Sequence, residues 1–359
     1  MTSQFDPDHD EWTRRLADQP AYRIEQLWQG LYRDLTDLAE ISTLPRSLRD
    51  RLAADLPVAL RDVTESVSAD GQTVKWLWAL DDDAEIETVL MHYPDRSTVC
   101  ISTQAGCAMA CGFCATGQGG FERNLTTGEI VEQVVRAARR ARTDGRRLSN
   151  VVLMGMGEPL ANYDRTLDAV HRMHGALGLS ARHLTLSTVG LVPGIRRLAD
   201  EPLPINLAVS LHAADDALRD ELVPINRRYP IAELVAACEH YQRAHSRRLS
   251  FEWALIDGVN DRDEDAERLA GIARHLPAHV NLIPLNRTPG WPTTGSPPER
   301  VARFRTLLEQ RGVVATVRAN RGTDIDAACG QLRAASRQGR SSTVTIVDGP
   351  TARGNRLDR

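Results

Sequence analysis

From Ser97 onward, short β-branched runs alternate with helical stretches, and this rhythm constrains the fold more than any single residue does. "STVCIST" leads to a helical pattern through "TTGEIVEQVVRAARRA", and "NVVLMGMGEP" leads to "YDRTLDAVHRMHGAL". "HLTLST", "INLAVSLH", "LSFEWALI" and "HVNLIPLN" follow, each with a helical segment behind it, and "VVATVRAN" adds a short last strand. Repeated strand–helix units build a parallel sheet with helices on its outside. Six such units are too few for a closed eight-stranded barrel, so the expectation is an α/β fold with an open, partial barrel over residues 93–335. In such folds the site gathers at the C-terminal ends of the strands. The unusual residues fall there: a cysteine cluster after the first strand, the stretch Gly155 to Pro159 after the second and Ser187 at the third. Ser210 to His212 end the fourth strand, and Asn286 follows the sixth.

The first 92 residues read differently. Residues 1–10 are acidic and without pattern, which predicts disorder. Residues 11–92 form a small accessory unit, helical where Ile24, Leu27, Trp28 and Leu31 make one stripe, then a β-hairpin turning at Asp70-Gly71. Residues 336–359 read as a flexible tail. The chain has no apolar run near the ~20 residues of a membrane span, and its start lacks a signal core. That points to the cytoplasm, where clustered cysteines are metal ligands or catalysts before they are disulfides. A net charge of −4 does not advertise a nucleic-acid binder. Lys75 is the only lysine, and the arginine run "RAARRARTDGRR" reads first as a solvated helix face.

Cys107, Cys111 and Cys114 stand in a C-x3-C-x2-C pattern. Tetrahedral zinc wants four ligands, and here there is neither a second pair nor a nearby histidine. A four-iron cubane held by three thiols keeps one iron open for chemistry. A zinc site completed by a distant ligand remains the alternative on spacing alone. With Phe113 before the last cysteine, and "GMGEP" after the second strand, the pattern resembles the radical S-adenosylmethionine (SAM) superfamily. That resemblance implies Cys107, Cys111 and Cys114 as ligands of a [4Fe-4S] cluster. It also implies Gly157 and Glu158 as the turn that receives the SAM amino group.

Two further cysteines stand apart: Cys100 inside the first strand, and Cys329 among small residues in "RGTDIDAACGQL". Cys238 keeps helical spacing with Leu234 and Tyr241 and reads as packing. Together "IETVLM", "CISTQAGCAMACGFCATGQGGFERNLTTGEI", "GMGEPL", "LSTVG", "SLHA", "IPLN" and "RGTDIDAACGQL" resemble the RlmN/Cfr family of radical SAM RNA methylases over about residues 20–335. The resemblance implies methylation of carbon 2 of adenosine in 23S rRNA, at the peptidyl-transferase centre, and in tRNA beside the anticodon. It implies one cluster and two SAM per turnover. One SAM methylates Cys329, and a second, cleaved at the cluster, generates the radical that activates this methyl group. Cys100 then attacks the Cys329 sulfur, leaving a disulfide, and Glu87 accepts the proton of carbon 2. Phe113, Ser187, Ser210, Leu211, His212 and Asn286 are implied as SAM contacts. The implied partners are RNA and a flavodoxin- or ferredoxin-like reductant, for a monomer that touches no membrane. The rivals are a Cfr-type methylase of carbon 8 and a non-catalytic zinc-containing RNA-binding protein. The "IETVLM" and "GTDIDAACGQL" segments favour carbon 2.

Overall fold

The computed structural model describes residues 2–332, except 248, 289, 319 and 320, together with the backbone of 345 and 346. The chain opens with α1 (His9–Arg15), α2 (Tyr22–Gln29) and α3 (Arg46–Asp55), then β1 (Arg61–Val67), β2 (Thr73–Ala79) and β3 (Glu85–His92). The repeating part starts with β4 (Ser97–Cys100). A small hairpin of β5 (Gln104–Gly106) and β6 (Phe121–Asn124) brackets the cysteine loop and a short helix α4 (Ala115–Gly119). There follow α5 (Thr127–Thr143), β7 (Leu148–Leu153), α6 (Tyr163–Gly175), β8 (Leu184–Thr188), α7 (Val192–Ala199) and β9 (Asn206–Ser210). The last turns are α8 (Asp216–Leu222), α9 (Ile231–His245), β10 (Ser250–Leu255), α10 (Asp263–His275), β11 (His279–Pro284), α11 (Pro298–Gln310) and β12 (Ala315–Val317). A two-residue strand, β13 (Thr345–Ile346), pairs with β1. The rest of the tail expected over 336–359 lies outside the described residues.

One sheet runs β12-β11-β10-β9-β8-β7-β4-β3-β2-β1-β13. From β4 through β12 every neighbouring pair is parallel. This is the expected partial barrel of six strand–helix units with a short final strand. Leu184, Leu186, Leu207, Val209, Phe251, Trp253 and Leu255 are almost wholly buried between sheet and helices. Each such side chain contributes roughly 1.5–3 kcal/mol by leaving water. Among the described residues no helix is long and apolar enough to cross a membrane.

The structure alters two expectations for the N-terminal part. The hairpin is not a detached unit: β3 pairs antiparallel with β4, Val89 opposite Cys100, so the barrel sheet continues into it. Residues 2–10 are packed rather than disordered. Phe5 is fully buried, and the Gln4 side chain accepts from the Leu38 N–H at 2.9 Å while donating to Asp37 at 2.8 Å. The Asp6 carboxylate accepts from the Gly128 N–H at 2.8 Å, at the start of α5, where an anion is welcome. A segment rich in short polar residues therefore found specific backbone partners, which composition alone does not reveal.

The arginines of α5 are not a bare solvated face. Arg136 holds Glu132, Asp62 and the Leu60 carbonyl, and Arg139 holds Asp37 and the Leu35 carbonyl. Arg140 pairs with Glu65 and Asp144, and Arg142 donates to the carbonyls of Asp34 and Arg33. Forked guanidiniums suit this stapling of one element to another. They dock the N-terminal helices and β1 onto the barrel.

Gln133 is the polar hub of that junction. Fully buried on α5, its Oε1 accepts from the Ser102 N–H and the Thr88 hydroxyl, both at 2.8 Å, and its Nε2 donates to the Ser102 carbonyl at 2.9 Å. Gln133→Leu leaves all three partners buried without it, at roughly 1–3 kcal/mol each. The urea midpoint of this variant is expected to fall by an amount equivalent to about 3 kcal/mol or more, with an unchanged slope. An unshifted midpoint would show that the hub contributes nothing.

Candidate active site

The strand ends of β7, β8, β9, β10 and β11 open into one cavity, and most of the residues singled out in the sequence line it. Cys107, Cys111, Cys114 and Phe113 form one wall, Gly157 and Glu158 another. Ser187, Ser210, His212, Asn286 and Cys329 complete it. Leu211 is different: its side chain is fully buried in the core and takes no part in the wall. Only its backbone acts there, donating to the Glu252 carbonyl at 3.1 Å and accepting from Arg219 at 3.0 Å.

The cysteine loop is set by the β5–β6 hairpin, where the Cys107 N–H donates to the Gly120 carbonyl at 2.7 Å. Gly106 has φ +70°, and a Cβ there would come within 2.0 Å of the Gly120 oxygen, so the tight approach admits only glycine. Burial pushes the Cys107 thiol up to about 11. Burial, with charge on Cys114 and Cys107 adding to it, raises the Cys111 thiol further still. These sulfurs become thiolates readily only beside a cationic centre.

The "GMGEP" turn is held by Gln104, whose Oε1 accepts from the Glu158 N–H at 2.8 Å. Gly157 has φ +99°, and a Cβ there would lie 2.5 Å from the Gln104 Cβ. The Glu158 carboxylate accepts from the N–H groups of Leu160 at 3.1 Å and Val189 at 2.9 Å. Burial outweighs these bonds and lifts its pKa to about 7. Such a carboxylate gains most from a cationic ligand.

His212 sits across from Phe113, their rings T-shaped at 4.9 Å. Burial, helped by the charge of Arg219, holds its imidazole down at about 3, so it is neutral at physiological pH. Nδ1 accepts from the Ala254 N–H at 3.0 Å, which leaves the ring proton on Nε2 as a donor. Arg219, wholly buried, fixes this region by donating to the carbonyls of Val189, Ser210 and Leu211 and to the Asn226 side chain.

Cys329 belongs to a loop strapped to three parts of the molecule. Asn286 donates to the Cys329 carbonyl at 3.0 Å, the Ala115 N–H to the Gly330 carbonyl at 2.8 Å and the Thr116 hydroxyl to the Leu332 carbonyl at 2.7 Å. Lys75 donates to the Asp326 carbonyl at 3.2 Å. A second, smaller cavity abuts the first; Cys100 and Cys329 both line it, and Cys329 lines both cavities. All six cysteines are free, so the Cys100–Cys329 disulfide implied for the end of a turnover is not formed here. Burial pushes the Cys100 thiol up to about 12.

Glu87 is no exposed strand carboxylate. It is buried on β3 and pairs with Lys75 at 3.0 Å, lying behind the cavity walls rather than in them. Through Lys75 it is coupled to the Cys329 loop. Sequence reading missed Gln104, Arg219, Glu252 and Arg318. Only Glu252 left a signal, a carboxylate inside the otherwise apolar "LSFEWALI".

Comparison with known proteins agrees with this geometry. A model of the radical SAM superfamily matches residues 101–270. The probable dual-specificity RNA methyltransferase RlmN of Parafrankia sp. (strain EAN1pec) is 56% identical over 333 residues, covering 88% of this chain and 86% of its own. The dual-specificity RNA methyltransferase RlmN 1 of Myxococcus xanthus is 52% identical over 329 residues, covering 90% of this chain and 92% of its own. The crystal structure of a radical SAM methyltransferase from Sphaerobacter thermophilus superimposes with a TM-score of 0.91 at 52% identity, over 93% of this chain and 100% of that one. The likeness runs over nearly the whole length in sequence and in fold, and the chain belongs to the RlmN family of radical SAM methyltransferases.

Proposed function

We propose that this protein methylates carbon 2 of adenosine in 23S rRNA and in tRNA, with Cys329 carrying the methyl group. The observation that carries this reading is the position of Cys329 in the wall shared by two cavities. The larger holds the three clustered cysteines and the smaller holds Cys100. A thiol that takes a methyl group on one side and meets a second thiol on the other needs that placement.

The donor set fits one [4Fe-4S] cluster on Cys107, Cys111 and Cys114. The three thiols share one wall, Cys111 buried and Cys107 and Cys114 half-buried; charge on those two raises the cost of charging Cys111, and a cationic iron centre relieves it. Among the described residues no three His, Cys, Asp or Glu side chains close round a point suited to a single ion. A cubane, whose cysteines attach to different irons, does not require that convergence. When bound, the cluster supplies the one-electron reduction that makes SAM a source of radicals. Glu158 receives the SAM ammonium, and the Gly157 turn lets the backbone approach it. His212 offers its Nε2 proton, while Ser187, Ser210, Asn286 and Phe113 shape the remaining wall.

In the first step the Cys329 thiolate attacks the methyl carbon of one SAM, S-adenosylhomocysteine leaves, and the thiol proton passes to solvent. A second SAM serves the radical step. After the methyl carbon has joined adenine, Glu87 is the proton acceptor that the family resemblance implies, although here it stands behind the cavity walls, paired with Lys75. The Cys100 thiolate attacks the Cys329 sulfur and breaks its bond to the CH2 carbon, which takes up a proton to become the methyl group; the unpaired electron passes back to the redox partner, and an external reductant must reopen the disulfide that is left. Carbon 2 of a stacked base reaches this site only when the nucleotide is extruded. The protein acts as a monomer in the cytoplasm, and a flavodoxin- or ferredoxin-like protein reduces its cluster.

Two outcomes follow. Anaerobic incubation of cluster-loaded protein with SAM, reductant and 23S rRNA yields 2-methyladenosine on nucleoside chromatography; 8-methyladenosine would overturn the choice of carbon. SAM affinity, read by equilibrium dialysis, falls as pH drops below about 7, because Glu158 takes up a proton and loses the charge that meets the ammonium. The fall approaches tenfold per pH unit, roughly 1.4 kcal/mol. Glu158→Gln binds more weakly at neutral pH and loses this part of the pH dependence; an unaltered profile would remove Glu158 from the SAM site.

A further inference from the structure

Cys100 is poorly placed to ionise by itself. It is buried at the end of β4, and burial pushes its thiol up to about 12, opposed by the charge of Arg318. Yet the function proposed above, on which this inference rests, needs thiolates at both Cys329 and Cys100, since the thiol form is a poor nucleophile.

Arg318 stands where such a charge would be answered. It follows β12, its N–H donating to the Leu282 carbonyl at 2.8 Å, so its backbone continues the strand pairing. It lines both cavities, sharing one wall with Cys329 and the other with Cys329 and Cys100. Its guanidinium is aimed by the buried Glu252, 3.5 Å away, and rests 3.8 Å from the Met154 sulfur. Glu252 is itself fixed, accepting from Asn281 at 2.8 Å and from Ser250 at 3.1 Å. A buried carboxylate, itself fixed by two hydrogen bonds, thus holds one cation in the wall of the cavity that Cys329 and Cys100 line.

The other charged groups here are already engaged. Arg321 stacks on Tyr93 at 4.3 Å and donates to the His92 carbonyl at 3.2 Å. Tyr93 and Cys114 are the remaining titratable groups of the smaller cavity. Arg96 lies on the Tyr93 ring at 4.2 Å and is paired with Asp95.

We infer that Arg318 is a positioning residue that favours the thiolate at both Cys329 and Cys100, serving first the methylation of one and then the attack by the other. The coupling runs both ways: negative charge on Cys329 is the largest influence raising the pKa of Arg318, with Cys100 adding to it. One cation shared by two sulfurs also suits chemistry in which only one of them is a nucleophile at a time. Ionisation releases the thiol proton to solvent, and no further reactant is required.

The test is the pH profile of iodoacetamide alkylation at Cys329, followed by peptide mass on cluster-loaded protein without SAM. An opposite charge within a few ångströms lowers a pKa by about 1–3 units. In Arg318→Met the alkylation rate at neutral pH should therefore fall about tenfold or more, with the profile displaced to higher pH. The rate at high pH, where every accessible thiol is ionised, should match wild type, which separates ionisation from access. Arg318→Lys keeps the charge and should restore most of the neutral-pH rate. An unchanged profile in Arg318→Met overturns the inference, as does loss of SAM binding with the profile intact, which would make Arg318 a ligand contact. Methylation of Cys329 is read separately by mass. A bare Cys329 with an Arg318-dependent profile would sink the carrier role and leave this inference standing.

Discussion

Removing ionisable acids from water at one end of the sheet is the constraint from which the site follows. Cys107, Cys111, Cys100 and Glu158 are all pushed toward their neutral forms by burial. A fold tolerates such groups only if cations come to meet them, or if it keeps them uncharged until they do. A site so built favours positive partners; in the function proposed here these are an iron cluster at the thiols, the SAM ammonium at Glu158 and the Arg318 guanidinium at the cavity of the lone sulfurs. Neutral His212 fits the same economy, giving a hydrogen bond without adding a charge.

The rigidity that holds these groups comes from how two parts of the chain share one sheet. β3 pairs with β4, Gln133 ties Thr88 to Ser102, and the Ser102 hydroxyl then joins the Glu87 carbonyl to the Met156 N–H. The same few residues therefore set the end of β4, where Cys100 stands, and the turn that presents Glu158. Lys75 carries the connection on to the Cys329 loop. Accessory strands and barrel act as one frame, which explains why a thiol near residue 100 and one near 330 can share a cavity.

Much of this was legible in the sequence because it rests on local signals. Alternating strands and helices announced the partial barrel, the C-x3-C-x2-C spacing marked the cysteine loop, and Asp70-Gly71 marked the β1–β2 hairpin. Rim residues such as Ser187, Ser210 and Asn286 could be found because a parallel sheet sends its strand ends to one side. What escaped was long-range pairing. Phe5, Gln4 and Asp6 look like an unstructured start until their partners at Leu38, Asp37 and Gly128 are seen. The arginines of α5 resemble a solvated face until each is found on a carbonyl or carboxylate of the N-terminal part. Leu211 was included with its neighbours Ser210 and His212, but alternation along the strand turns its side chain into the core. Arg318 carried no signal, since its meaning lies in Glu252, far away in sequence and adjacent across the barrel interior.

The central claim, that Cys329 carries the methyl group between SAM and RNA, is tested most directly by the mass of the peptide containing Cys329. The protein should be isolated with its cluster in place and treated with SAM before digestion. This account predicts a peptide heavier by one methyl group on the Cys329 sulfur, with Cys100 unmodified. A bare Cys329 thiol, in protein shown to hold both cluster and SAM, would contradict it.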